Sequence, residues 1–345
     1  MKSIPLSFAG LALIAMVIGL ATPPPAESIE LRFAFHGPPM LHWCKDGHVP
    51  WAKEVGKRTN GRVTVRVYPS ETLGKSNEEI DMLRKGLVDI TNVVPSFYPG
   101  RFPLEDAFHL PFLAQGTMGD PRSDRIVKMM YEKYLIPTYF SDVKVLWLGR
   151  FPRLSLHMAK KPVRTVEDLK GLVIGFPGGR ITPAMLGLMG ASGEFTLIPD
   201  IYTNLDRGVI DGMFIPRDLT PAFKLQEVEK YNTMVDPGSG SHFVAMNLKT
   251  WNKISPADQK IIEDLSPWVV QQHIKGMKGV LGYTQKLFMD KGVEMINLSP
   301  EETAKWKKIS KPVRDEWIKE VEGKGLPGKA VFDDITKIMS ESPKH

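Results

Sequence analysis

Hydrophobic and polar positions along the chain switch between two periods. Leu31 to Phe35 is apolar apart from Arg32, and Arg62 to Tyr68 alternates as R-V-T-V-R-V-Y with Val63, Val65 and Val67 on one face, so both segments predict strands. Between them the pattern widens, and Trp51 to Arg58 predicts a helix. Ser76 with Glu79 forms a capping-box pattern for a helix that runs to Lys85 and stops at Gly86. Further strands are predicted at Lys144 to Leu148 and Leu172 to Ile174. Helices are predicted to start at Thr165 and at the Thr182-Pro183 pair, the latter ending at Gly190. Alternating strands and helices of this kind place the chain in the α/β class.

One junction occurs twice. Leu83-Arg84-Lys85-Gly86-Leu87-Val88-Asp89 has the character of Leu205-Asp206-Arg207-Gly208-Val209-Ile210-Asp211. In each, a helix ends on a basic turn, glycine takes the position after the last turn, and a short apolar strand carries an aspartate. Two α/β halves built on one junction are the economical reading. From Ser255-Pro256 the chain turns helical, with a second start at Ser299-Pro300-Glu301-Glu302 and an interruption at Pro327-Gly328. That C-terminal stretch is expected to pack across both halves.

The N-terminus adds a compartment. Lys2 precedes the uncharged run Phe8 to Ala21, which is shorter than the roughly 18 residues of a membrane span and is followed by Pro23-Pro24-Pro25-Ala26. This predicts a secretory signal over 1–26, cleaved near Ala21 or Ala26, and export to the periplasm. Cys44 is the single cysteine, so no intrachain disulfide can form. The formal net charge of +6 comes from basic residues interleaved with acids, without the clustered stripe that nucleic-acid binding requires.

Candidate chemistry is sparse. Gly74-Lys75-Ser76 resembles the end of a phosphate loop, but Pro69 stands where such a loop needs glycine. GxGxxG, HExxH, GxSxG and CxxC are all missing. His36, His42, Cys44, Asp46 and His48 form a dense group of potential metal ligands, in a spacing that matches no standard zinc or copper site. No metal and no cofactor is therefore expected, and Asp89 and Asp211 fit capping better than catalysis.

Several stretches in succession resemble the extracytoplasmic solute receptors of tripartite ATP-independent periplasmic (TRAP) transporters. They are Arg58-Thr59-Asn60-Gly61-Arg62-Val63 through Tyr68-Pro69, Leu73-Gly74, Gly86 to Asp89, Phe108 to Leu113, Lys161-Pro162-Val163, Glu167 to Gly171, Gly190-Ala191-Ser192, Tyr202 to Leu205 and Gly208 to Gly212. The resemblance implies a two-lobed periplasmic-binding-protein-like fold with a cleft, crossing strands and a long connecting helix. Expected boundaries are 27–148 for most of the first lobe, 149–250 for most of the second, and 251–345 for the helical segment. It also implies capture of a small organic solute by cleft closure and delivery to small and large TRAP membrane subunits, with no enzymatic step.

Departures from the family pattern bear on the solute. Gly175 stands where the family usually has an arginine that pairs with a ligand carboxylate, and Ile215, after Phe214, stands where it often has asparagine. Arg153 approximately matches another basic family position, with Arg150 as the alternative. Arg180 is either a substitute for the lost arginine or a solvated loop residue. Phe97, Tyr98 and Phe176 are expected near the cleft, with His36 and Trp43 also facing ligand. Together these residues predict an apolar or aromatic solute, with one acid group held by Arg153. The alternatives are an exported metal-dependent enzyme using the His36 to His48 loop, or a receptor for an ATP-driven importer.

Overall fold

The structure, a computed structural model, describes residues 28–341; the signal segment expected over 1–26 lies outside the described residues. Eleven strands form two sheets: β1 (Ile29–Ala34), β2 (Val63–Tyr68), β3 (Ile90–Val93), β4 (Val143–Arg150), β5 (Leu154–Met158), β6 (Val173–Phe176), β7 (Ser192–Phe195), β8 (Gly212–Pro216), β9 (Tyr231–Met234), β10 (Ser241–Asn247) and β11 (Glu294–Asn297). The first sheet has five strands in the order β2-β1-β3-β10-β4, and the second has six in the order β11-β9-β5-β8-β6-β7. β10 lies antiparallel between β3 and β4, so the chain returns from the second sheet to complete the first. Three connections cross between the sheets: the short link from β4 to β5, residues 235–240 from β9 to β10, and the helical stretch containing Ser266–Lys291 from β10 to β11.

The repeated junction is built from the same contacts in both lobes. Gly86 and Gly208 take φ of 73° and 71°, a left-handed conformation that costs glycine little. Asp89 accepts from Arg32 N at 2.9 Å and Asp211 accepts from Val173 N at 2.8 Å, so each aspartate satisfies a backbone donor of the neighbouring strand. Both acids are thus engaged by main chain across strands, and not as the helix or turn caps that the sequence suggests.

Some helix starts differ from the sequence pattern. Ser255, Ser299 and Thr165 cap as expected. Ser76 does not, because its N–H is held by Glu71 at 2.9 Å and its carbonyl by the Tyr98 hydroxyl at 3.0 Å, and the helix begins at Glu79 instead. Thr182 lies inside a helix spanning Ile181–Leu188 whose N-cap is Arg180.

The long helix Ser266–Lys291 packs on the helical turn Trp43–His48 and β4 of the first lobe, and on the segments after β8 in the second. One apolar cluster takes residues from both lobes and this helix: Phe35, Trp43, Cys44 and Met118, then Phe151, Leu219 and Ala222, with Ile274 and Met277. Gly47 permits the close approach, since a Cβ there would stand 2.0 Å from the His273 ring. Among the described residues no helix is long and apolar enough to cross a membrane.

Candidate ligand cleft

Strand direction fixes where chemistry can gather. The C-terminal ends of β1, β3 and β4 in the first lobe, and of β6 and β8 in the second, lead to His36, Ser96, Arg150, Phe176 and Arg217 respectively. Parallel sheets place ligands at that end.

The two lobes touch along these ends. Gly179 N donates to Ser96 O at 3.0 Å, and a Cβ on Gly178 would stand 2.4 Å from the same oxygen. Arg180 Nε donates to Asp106 at 2.7 Å, and its Nη1 reaches Glu320 on the helix Pro300–Gly323. His42 Nε2 lies 2.8 Å from Asp218 Oδ2, with both side chains buried. Arg180 is thus a clamp between the second lobe, the first lobe and a C-terminal helix, rather than a solvated loop residue.

The interlobe polar groups are unevenly satisfied. Arg150 is 1% exposed and donates to the carbonyls of Ala114 and Ser239 and to the Ser123 hydroxyl, leaving Nε unpartnered. Desolvation lowers its pKa to about 10. Arg153 is exposed and forms an ion pair with Asp236, Nε to Oδ2, at 3.5 Å. That distance is too long and the alignment too poor for a hydrogen bond, and both Asp236 oxygens are buried without one. Burial pushes the Asp236 carboxyl up to about 6, with Arg153 and Arg150 acting against the rise. Arg217, directly after β8, is half-buried and makes no side-chain hydrogen bond or ion pair among the described residues.

Aromatic residues divide into separate neighbourhoods. The Trp43 ring meets His242 at 4.3 Å, His273 at 4.9 Å and Phe151 at 6.0 Å. Phe97 meets His36 edge to face at 5.2 Å, and His36 Nδ1 lies 3.3 Å from the buried Glu79. Tyr98 turns into the first-lobe interior, where its hydroxyl is occupied by Ser76 O and Ile80 N and its ring packs on Phe102. Phe176 packs on Phe195, and Phe214 packs on Trp306 inside the second lobe. No ring contact among the described residues joins any two of Phe97, Tyr98, Phe176 and Phe214.

Gly175 and Ile215 lie on a shared interior face of the second sheet. Ile215 is fully buried among Leu205, Met213 and Leu225. A Cβ on Gly175 would stand 2.5 Å from Met213 Sδ and 2.9 Å from Ile210 Cδ1. Apolar side chains already fill the space a larger residue would need there.

The potential metal ligands of the sequence disperse. The turn Trp43–His48 is helical, so its side chains radiate: His42 to Asp218, Cys44 into the interlobe cluster, and His48 between Phe33 and Phe35. Burial pushes the Cys44 thiol up to about 11, far from a metal-binding thiolate. Among the described residues no group of three or more His, Cys, Asp or Glu side chains is arranged to hold a metal ion.

The profile of bacterial extracellular solute-binding proteins, family 7 (DctP), matches residues 36–320. The chain belongs to this family. Within it, the C4-dicarboxylate-binding periplasmic protein DctP of Rhodobacter capsulatus is 26% identical over 314 residues, covering 89% of this chain and 92% of its own. A TRAP solute-binding protein from a marine metagenome, specific for aromatic acids and solved with metahydroxyphenylacetate, superposes with a TM-score of 0.83 at 27% identity, covering 92% of this chain and all of its own. A TRAP periplasmic solute-binding protein of Bordetella bronchiseptica, solved with (R)- and (S)-mandelate, gives 0.79 at 26% identity over 90% of this chain and 98% of its own. The protein is therefore a TRAP-type extracytoplasmic solute receptor with the two-lobed fold of that group.

Sequence patterns did not point to Asp236, His242, His273, Phe151 or Arg217. An isolated arginine after a proline carries no local signature, and its lack of a partner is a property of the assembled lobes.

Proposed function

We propose that this family 7 receptor captures an organic acid with an aromatic or apolar body between its lobes in the periplasm and presents it to TRAP membrane subunits. The observation that carries this reading is that two arginines at the junction lack an acidic partner. Arg180 and Arg153 have acidic partners, whereas Arg150 and Arg217 have none within ion-pair reach. A desolvated anion completes such a site, and the half-buried ring of Phe97 beside His36 suits its apolar body. The aromatic acids and mandelates bound by the two similar structures are of this class. Closure works by differential binding: a ligand that touches both lobes favours the arrangement in which Gly179 meets Ser96 and Arg180 meets Asp106.

A thermal-shift panel of aromatic acids, dicarboxylates and transition metals tests this reading. Ligand at about 100 times Kd adds roughly 2.7 kcal/mol of stability, a readable shift. Stabilisation by an aromatic monocarboxylate is expected. Stabilisation by succinate alone, or by a metal alone, would contradict it.

A further inference from the structure

Three arginines bury an unpartnered guanidinium nitrogen: Arg150, Arg180 and Arg217. The first two are otherwise engaged, Arg150 by two carbonyls and a hydroxyl and Arg180 by two carboxylates. Arg217 has no side-chain partner among the described residues. A half-buried cation left in this state is a desolvation cost that no hydrogen bond or ion pair among the described residues offsets. Its main chain is fixed: Arg217 follows Pro216 at the C-terminal end of β8, its carbonyl accepts from Thr284 Oγ1 of the long helix at 3.3 Å, and the next residue, Asp218, is tied to His42 of the first lobe. The residue is thus anchored at the lobe boundary while its charged end stays free.

Register adds a second observation. Along β8, Met213 and Ile215 share one face, Gly175 pairs with Met213 on the adjacent strand, and Arg217 is the first residue after the strand, where a short 3-10 turn begins. Met213 and Ile210 close the space at Gly175, so that position can present no cation. The next place on this face, Ile215, is apolar and fully buried, and the first cationic position beyond it, just past the cleft end of β8, is Arg217. Burial lowers the proton affinity of its guanidinium and the charge of Glu229 acts the other way.

We propose that Arg217 is the residue that recognises the ligand's carboxylate, so that the anionic group is held from the end of β8 rather than by the exposed Arg153. The proposal rests on the receptor reading above and adds a specificity-determining residue to it. A planar guanidinium can hold a carboxylate through two parallel hydrogen bonds.

The test compares 3-hydroxyphenylacetate with its neutral amide by calorimetry on the wild type, Arg217→Met, Arg217→Lys and Arg153→Met. The wild type is expected to prefer the acid. Arg217→Met is expected to lose about 30-fold or more in affinity for the acid and to bind acid and amide alike, as loss of one partner of a buried charge pair does. Its ligand-free melting temperature should equal or exceed that of the wild type, because an unpaired buried charge has been removed. Arg217→Lys should retain part of the preference, and Arg153→Met nearly all of it. Unchanged preference in Arg217→Met, or its loss in Arg153→Met alone, would overturn the assignment while leaving the receptor reading intact. A wild type that binds no organic acid in the thermal-shift panel would overturn both.

Discussion

The junction at Gly86 to Asp89 and the junction at Gly208 to Asp211 perform one task in two lobes, whereas the strand ends opposite them have nothing in common. In both junctions glycine turns the chain and the aspartate accepts from a neighbouring strand's N–H. At the cleft end the first lobe offers a histidine, a phenylalanine and the Ser96 carbonyl. The second lobe offers two glycines, a clamping arginine and an unpartnered one. What repeats is scaffold, and what differs is free to serve a ligand.

The sharpest way to break this contrast is at the cleft end. Gly178→Ala places a methyl against the Ser96 carbonyl, which is main chain and cannot swing aside. Overpacking of this kind costs about 1–3 kcal/mol. Binding affinity should fall by that amount in calorimetry, while the melting temperature of the ligand-free protein changes little. An equal loss of stability without ligand would mean that the contact belongs to the scaffold.

The junctions themselves should respond in stability and not in ligand choice. Asp89→Ala should cost about 2 kcal/mol, because Asp89 also accepts from Arg32 Nε at 3.1 Å and Thr250 Oγ1 at 3.2 Å. Asp211→Ala should cost about 1 kcal/mol, since the Val173 N–H is its one side-chain hydrogen bond among the described residues. Urea midpoints give both values. A larger cost at Asp211 would show that the two junctions are not equivalent supports.

Acid provides a graded probe. Burial lowers His242 to about 3, and lowers His48 and His273 well below their usual value. Below about pH 6.5 the unfolded chain takes up protons that the folded chain refuses, so each of these groups makes stability fall as pH drops. Asp236, raised to about 6, acts in the opposite sense between that pH and its ordinary carboxylate range. Replacing His242 by Gln should therefore remove about 1.4 kcal/mol of acid sensitivity per pH unit between pH 6 and 4. Parallel stability curves for the two proteins would contradict a neutral, buried His242.

A smaller effect sharpens the clamp. Arg180→Lys keeps a charge near Asp106 and Glu320 but cannot bridge both with a planar fork. A loss of about 1 kcal/mol in ligand affinity is expected, read by the same calorimetry.

Much of the scaffold could be read from sequence because its signals are local. The alternation in β2, the glycines after helices, and the serines at 255 and 299 each specify a conformation over a few residues. Ser76 and Thr182 carry the same kind of signal, but Glu71, Tyr98 and the Arg180 clamp overrode them through distant contacts. The return of β10 to the first sheet is equally nonlocal: the apolar stretch Phe243 to Met246 suits either sheet. The cleft was less legible. Arg153 is marked by its match to a basic family position and Trp43 by its place in the His36 to His48 loop, but the distinguishing property of Arg217, a charge without a partner among the described residues, exists only once both lobes and the long helix are assembled.

A crystal structure of the protein with 3-hydroxyphenylacetate tests the central claim most directly. The account predicts the ligand between the lobes, its carboxylate within hydrogen-bond distance of the Arg217 guanidinium, and the Gly179 to Ser96 contact closed. A carboxylate held by Arg153 with Arg217 turned away, or a ligand bound outside the interlobe junction, would contradict it.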